Sequence, residues 1–319
     1  MQQTLVTGGA GFIGSHLVRS LLDQGKGVRV LDNFATGHRH NLASIKTDLE
    51  VIEGDLRDAD VCLRACRGID TIFHLGALGS VPRSIDDPLT SNAVNVVGTL
   101  NILMAARDAG VKRVVFSSSS SVYGDTPTLP KHEGMRLSPR SPYAVTKLAG
   151  EEYCRAFYLT YGLEVVALRY FNVFGPRQDP NSAYAAAIPR FLKAISSGER
   201  PLIFGDGQQS RDFTYVANVV EANLLAAQAQ AAPGHVINVA CGQQLTIEQV
   251  VFGIATLLGV SCEPEYRPVR AGDVQHSRAD ISLAESLTGY KPLVLFDEGL
   301  KRTVDWYLAN RASAEAAPR

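Results

Sequence analysis

Thr4-Leu5-Val6-Thr7-Gly8-Gly9-Ala10-Gly11-Phe12-Ile13-Gly14-Ser15-His16-Leu17 runs from a short apolar stretch through a glycine-rich turn into a helical pattern. The order of these three elements decides the fold. A strand that passes straight into a helix through glycines leaves the first N–H groups of the helix free to meet an anion, and a pyrophosphate fits there. Gly8 permits the tight turn, Gly11 the close approach of phosphate and Gly14 close helix packing, with Phe12 and Ile13 in the same expected pocket.

The first half continues as an alternation. Val28-Arg29-Val30-Leu31, Leu49-Glu50-Val51-Ile52, Thr71-Ile72-Phe73-His74 and Val114-Val115-Phe116 read as strands; Gly11 to about Gln24 and Asn92 to Ala109 read as helices. This pattern predicts an α/β fold, a Rossmann-type doubly wound parallel sheet covered on both faces by right-handed crossovers. Asp32 ends the second strand, where a carboxylate accepts ribose hydroxyls and opposes the extra phosphate of NADP, although Arg39 complicates that preference. NAD is therefore the expected cofactor. Asn33 follows Asp32, and Asp55 and Leu56 follow the third strand, on the adenosine side of the same pocket.

Ser141-Pro142 reads as a helix cap with proline at the first helical position, Gly162 as its stop, and Val165 to Arg169 as a further strand. From about Phe171 shorter elements, punctuated by Gly175-Pro176 and Gly205-Asp206-Gly207, suggest a smaller α/β substrate lobe interleaved with the main domain. The expected division is 1–170 for the nucleotide domain and 171–311 for the substrate lobe, with segments near 212–240 returning to the main domain and 312–319 a loose tail. Val236 to Val239 and the helix Thr246 to Leu258 are both candidates to rejoin the main sheet. Thr246 and Gln249 form a capping box, Asp280 caps a helix Ile281 to Leu287, and Asp297 caps a final helix through Ala309.

Composition narrows the function classes. The 319 residues are 45% hydrophobic with a formal net charge of −1, which fits an ordinary globular protein and gives no basic surplus for nucleic acid or an anionic membrane. The amino terminus lacks a secretory pattern, and no apolar run reads as long enough to cross a bilayer, so a cytoplasmic location is expected. Five scattered cysteines read as incidental thiols, with no metal expected.

The chemistry gathers around Tyr143 and Lys147, four apart on one helix face, and Ser117 to Ser121, directly after a strand. A nearby ammonium, aided by the positive charge of bound NAD, lowers a phenol toward the working range, which makes Tyr143 a candidate base and Lys147 its electrostatic partner and ribose clamp. One of the serines is expected to hydrogen-bond the reacting alcohol. Counting does not say which hydroxyl faces the ligand.

With these residues assembled, the chain resembles the extended short-chain dehydrogenase/reductase family over residues 2 to 309. The resemblance is strongest to UDP-hexose 4-epimerases, especially those acting on UDP-N-acetylglucosamine. It rests on Asp32-Asn33, Ala77-Leu78-Gly79-Ser80-Val81-Pro82-Arg83-Ser84, Ser119 before Val122-Tyr123-Gly124, Tyr143-Ala144-Val145-Thr146-Lys147 and Arg169-Tyr170-Phe171-Asn172-Val173-Phe174-Gly175. It implies Ser119 as the catalytic serine, Tyr143 as base and Lys147 as its partner. Leu75, Ala77, Asn95, Ser117 and Phe171 are implied in the cofactor pocket. Gly79, Ser80, Asn172, Arg211, Arg270, Asp273 and Ser277 are implied around the UDP-sugar. Arginine forks suit a diphosphate and an aspartate suits a ribose.

Ser277 stands where relatives restricted to non-acetylated sugars carry a bulky tyrosine, and Gly79 where they carry a lysine. Both features predict reversible C4 epimerisation of UDP-N-acetylglucosamine and UDP-N-acetylgalactosamine through a 4-keto intermediate, without excluding plain hexoses. UDP-glucose and UDP-glucuronate 4-epimerases are the enzymatic alternatives, and an NAD-binding regulatory protein is the alternative of another class. The resemblance also implies a homodimer joined through the helices near Asn92 to Ala109 and Tyr143 to Tyr161.

Overall fold

The structure is a computed structural model that describes residues 3–43, 45, 49–180, 185–269 and 274–315. Its strands in chain order are β1 (Gln3–Thr7), β2 (Gly27–Asp32), β3 (Glu50–Glu53), β4 (Thr71–His74), β5 (Arg113–Ser119), β6 (Glu164–Tyr170), β7 (Val173–Phe174), β8 (Leu202–Phe204), β9 (Ser210–Arg211), β10 (Thr214–Tyr215), β11 (Val236–Val239), β12 (Leu245–Thr246) and β13 (Glu265–Arg267). Seven of them form a parallel sheet in the order β11-β6-β5-β4-β1-β2-β3. The chain runs from β1 to one edge and then returns to β4 on the other side of β1, so the crevice beyond the carboxyl ends of β1 and β4 is the switch point where such sheets receive ligands.

Burial explains the apolar strands. Leu17, Val18 and Leu21 of the first helix (Phe12–Asp23) pack with Val219 and Val220 of the helix Val216–Gln228 in one core layer. Cys62, Ile102, Leu103, Cys154 and Phe157 fill a second core layer, which includes Leu5 and Val114 from the sheet. Burial pushes the Cys62 and Cys66 thiols up to about 12, which leaves them protonated and inert.

A third core, built on Phe174, Phe191, Phe213, Ile254, Phe296 and Leu300, supports the smaller lobe. Val236–Val239 pairs with β6 in the main sheet, whereas the helix Ile247–Leu258 packs into this third core instead of rejoining the sheet. The small two-stranded pairings β7 with β10, β9 with β12 and β8 with β13 belong to the same irregular region.

Local signals differ in how they are realised. Ser141 caps the helix Pro142–Tyr161 by accepting from Ala144 N at 3.2 Å, and Gly162 ends it in the left-handed conformation. The Thr246 and Gln249 capping box is present in full. The last helix begins at Phe296, so Asp297 lies in its first turn and not at its cap, and it continues to Glu315, beyond the stop expected at Ala309. Asp280 accepts from Ser282 N at 2.9 Å, ahead of a helix that runs Ser282–Thr288.

One continuous helical stretch, Pro88–Asp108, has 21 residues and contains an 18-residue window of mean hydropathy 1.3, which by length and composition alone is enough to cross a bilayer, contrary to the sequence expectation. Its buried Ile102, Leu103 and Ala106 pack into the second core layer of the α/β domain, which accounts for its apolar character.

Candidate active site

A single cleft of about 1360 Å³ runs from the Gly8 turn, past the ends of β4 and β5, to Ser277. That exceeds the roughly 300–1,000 Å³ of a typical small-ligand pocket and suits a dinucleotide together with a second ligand.

At the nucleotide end the backbone does the shaping. Gly8 has φ 68°, and a Cβ there would lie 2.8 Å from the Gly76 backbone, so the turns after β1 and β4 touch main chain to main chain. A Cβ on Gly14 would lie 2.2 Å from the Gly8 carbonyl, so the helix can start this close to the turn only with glycine there. Gly11 is the N-cap and offers no side-chain acceptor, which leaves the first-turn N–H groups available to a pyrophosphate. The cradle fits NAD. Asp32 is buried, and its two oxygens accept from Ala10 N at 2.9 Å and Phe34 N at 2.8 Å, so it fixes the turn and keeps spare lone pairs for ribose hydroxyls. Asp55 is gripped by the Arg57 guanidinium and by Asn33 Nδ2, and Arg57 holds its carboxyl well below the usual range. Phe12, Ile13, Asn33, Leu56, Leu75 and Ala77 also line the cleft.

Strand parity sorts the serines. Along β5, residues 117 and 119 share one face and 118 the other. Ser118 Oγ donates to Glu151, whose carboxylate is paired with Arg169 at 2.7 Å, and both members of that ion pair are about 97–98% buried, with relative exposures of 3% and 2%. Ser117 offers its carbonyl to Lys147 Nζ at 2.8 Å, and the Ser119 hydroxyl lies near enough to Tyr143 to ease ionisation of its phenol. Ser119 is thus the serine of this run whose hydroxyl lies beside Tyr143. Its Oγ also accepts from Ser121 N at 3.2 Å.

Burial raises Tyr143 above the ordinary phenol range and lowers Lys147 to about 8. Desolvation dominates at Tyr143, and the Lys147 ammonium lies 6.0 Å from the ring centroid.

The remaining residues divide by depth. Gly79, Ser80, Asn172, Arg211 and Ser277 line the cleft. Asn172 adopts φ 35° and donates to the Asp212 carbonyl at 3.1 Å, while Ser277 N donates to the Ser210 carbonyl at 3.0 Å. Phe171 is fully buried beside Tyr123 and Ala240, and Asn95 is buried beneath the Leu78 loop, so both stand behind the cleft wall and not in it. Arg270 and Asp273 lie outside the described residues.

Sequence reasoning missed several wall residues, Gln178 and Gln209 among them. Their Oε1 atoms, like Ser121 Oγ of the serine run, are buried without a hydrogen-bond partner among the described residues, and all three residues line the cleft. Arg140 and Arg190 line it too. Arg190 rides on the amphipathic helix Ala187–Ser196, where periodicity signals only a solvent face.

Known proteins resemble this chain along nearly its whole length. A profile of the NAD dependent epimerase/dehydratase family matches residues 4–240. A UDP-glucose 4-epimerase of Mycolicibacterium smegmatis is 42% identical over 309 residues, covering 96% of this chain and 98% of its own. The structure of a UDP-N-acetylglucosamine 4-epimerase from Methanobrevibacter ruminantium, in complex with UDP-N-acetylmuramic acid, superposes with a TM-score of 0.92 at 44% identity, covering 97% and 99% of the two chains. A Thermus thermophilus UDP-glucose 4-epimerase complexed with NAD superposes with a TM-score of 0.89 at 37% identity, covering 96% and 99%. A nucleotide cradle that fits NAD, a serine, tyrosine and lysine at the mouth of the same cleft, and these likenesses along nearly the whole chain converge: the protein belongs to the NAD-dependent epimerase/dehydratase family, as an NAD-dependent epimerase closely related to the UDP-sugar 4-epimerases.

Proposed function

We propose that the protein interconverts UDP-glucose and UDP-galactose at C4. The observation that carries this is the joint placement of Ser119, Tyr143 and Lys147 on one cleft wall, with Ser119 close enough to Tyr143 to ease its ionisation and Lys147 Nζ fixed on the Ser117 carbonyl. The names of the M. smegmatis and T. thermophilus relatives support plain hexoses as substrates.

Tyr143, through Ser119, takes the proton of the sugar 4-hydroxyl and later returns it. Lys147 keeps positive charge beside the phenol and orients a ribose. Gly8, Gly11, Gly14 and Asp32 hold the cofactor, with Asp55, Leu75 and Ala77 along the same wall. When bound, NAD supplies the reversible hydride exchange at C4 through which a 4-keto sugar forms and is reduced again. Asn172 and Arg211 hold the diphosphate while the sugar turns, with Arg270 and Asp273 assigned there from sequence alone.

Ser277 favours a second reading. Its small side chain lines the cleft and leaves room for a 2-acetamido group, which supports UDP-N-acetylglucosamine and UDP-N-acetylgalactosamine as further substrates. The exposed Leu89, Val97 and Met104 on one helical stretch and Val145 and Leu159 on the helix beside it support a homodimer through these faces.

The test is a product assay with UDP-glucose, UDP-N-acetylglucosamine and UDP-glucuronate in parallel, on protein whose NAD content has been measured. C4 epimers without net NADH are expected, fastest from UDP-glucose. Stoichiometric NADH with an oxidised product would reject epimerisation.

A further inference from the structure

A buried chain of polar side chains joins the nucleotide turn to the helix that carries Tyr143 and Lys147, and each of its protons can be assigned. Thr7 at the end of β1 lies opposite His74 at the end of β4. Thr7 Oγ1 accepts from Gly76 N at 3.0 Å, so its own proton goes to His74 Nδ1, 2.7 Å away. Burial, and then the Lys147 charge, hold His74 far below its ordinary value, at about 3, so the ring is neutral with its one proton on Nε2. That proton reaches Thr99 Oγ1 at 3.0 Å, and Thr99 in turn donates to the Asn95 carbonyl at 2.6 Å.

Asn95 lies in a π-helical turn, Ala93–Val97, a local widening that often marks functional positions in helices. Its side chain accepts from Leu78 N at 2.8 Å, which fixes the amide orientation, and donates to Leu78 O at 3.2 Å and Thr146 Oγ1 at 3.0 Å. Thr146 donates to the Tyr143 carbonyl at 2.7 Å. Thr7, His74, Asn95, Thr99 and Thr146 are all buried, so each missing bond would leave a polar group stranded away from water.

We propose that His74 and Thr99 are positioning residues that couple the seat of the nucleotide to the Tyr143–Lys147 helix and to the Leu78–Ser80 wall through Asn95. This rests on the assignment of Tyr143 and Lys147 as the proton-handling pair. Gly8 of the turn abuts the Gly76 backbone, whose N–H is held by Thr7, so this chain of fixed donors would make retention of the cofactor and alignment of the phenol depend on one another.

The test compares Thr99→Val, which keeps shape and removes the hydroxyl, with Thr99→Ser, which keeps the hydroxyl. Thr4→Val is the control, since Thr4 is a buried threonine whose hydroxyl donates to the Gly27 carbonyl at 2.9 Å, on the other side of β1 from His74. Thr99→Val is expected to lower kcat about tenfold, to move the pH midpoint of kcat by about half a unit, and to lower the NAD retained per chain after gel filtration. Thr99→Ser should restore all three measurements, and Thr4→Val should lower only the melting temperature.

Wild-type kcat, pH midpoint and NAD content in Thr99→Val, whatever its melting temperature, would overturn the coupling. If Thr99→Val does not fold, Thr146→Val takes its place at the far end of the chain, with the same expected and overturning results. NAD retention is read without any sugar. Loss of retention in a protein with no epimerase activity would therefore uphold the coupling while rejecting the proposed reaction.

Discussion

The two ends of the cleft are built differently. At the nucleotide end the ligand surface is main chain: Gly8 against Gly76, the uncapped start of the first helix, and the Asp32 carboxylate bound to two backbone N–H groups. At the sugar end it is side chain, with Asn172, Arg211, Arg190 and Ser277 presented by two-residue strands, a helix and loops over a separate core. A surface made of backbone tolerates few sequences and therefore selects one cofactor firmly. A surface made of side chains on short elements can be retuned one residue at a time, which is where substrate choice in this family is expected to reside.

Substitutions can break this contrast or sharpen it. Tyr143→Phe removes the proton carrier between the two ends and should lower kcat by about 10²–10⁴-fold, with NAD content unchanged by absorbance of the released cofactor. Lost NAD would mean that the tyrosine belongs to the backbone-built end. Arg169→Met strands the Glu151 carboxylate beneath β5 and should cost about 3–5 kcal/mol in chemical denaturation. A smaller loss would mean that the serine row does not depend on its buried support. Ser277→Tyr should reduce turnover of the acetylated substrate about tenfold more than that of UDP-glucose, with NAD content intact. An equal effect on both sugars would remove Ser277 as a size filter.

The smallest effect concerns acid. His16, whose ring nitrogen meets the Pro176 carbonyl at 2.9 Å, is pushed down to about 4 mainly by burial, and His74 to about 3. Both lie below the unfolded value near 6.5, so the unfolded chain binds more protons and stability falls as pH drops from about 6.5 toward 4. Each ring contributes at most about 1.4 kcal/mol per pH unit in that window. His16→Gln should flatten the decline in melting temperature, and an unchanged slope would show that the ring is solvated.

The same contrast explains what could be read in advance. Strand, turn, helix and acidic strand end are spaced by backbone geometry, so the tight turn at Gly8, the close helix start at Gly14 and the strand-end Asp32 are legible in the sequence. The Tyr143 and Lys147 pair was legible from helical spacing. The effect of burial on that pair was not, since it depends on how much water the fold removes, and that burial raises the phenol and lowers the ammonium. Phe171 and Asn95 illustrate a second limit: a motif fixes their neighbourhood, but only packing decides whether a side chain faces the ligand or supports the wall behind it. Gln178 and Gln209 carried no signal, because an amide in a loop looks the same whether it meets solvent or a ligand.

The alternation along β5 has a consequence for how the site can change. Ser118 is committed to the Glu151–Arg169 pair on one face while Ser117 and Ser119 serve the other. A one-residue insertion or deletion in the strand would preserve the composition of the serine run and invert its meaning, turning the hydroxyl beside Tyr143 into the interior and the supporting one into the cleft. The five serines thus resemble a low-complexity tract but behave as a reading frame. Lineages can vary the letters on each face independently, but they cannot shift the frame without losing both the support and the site.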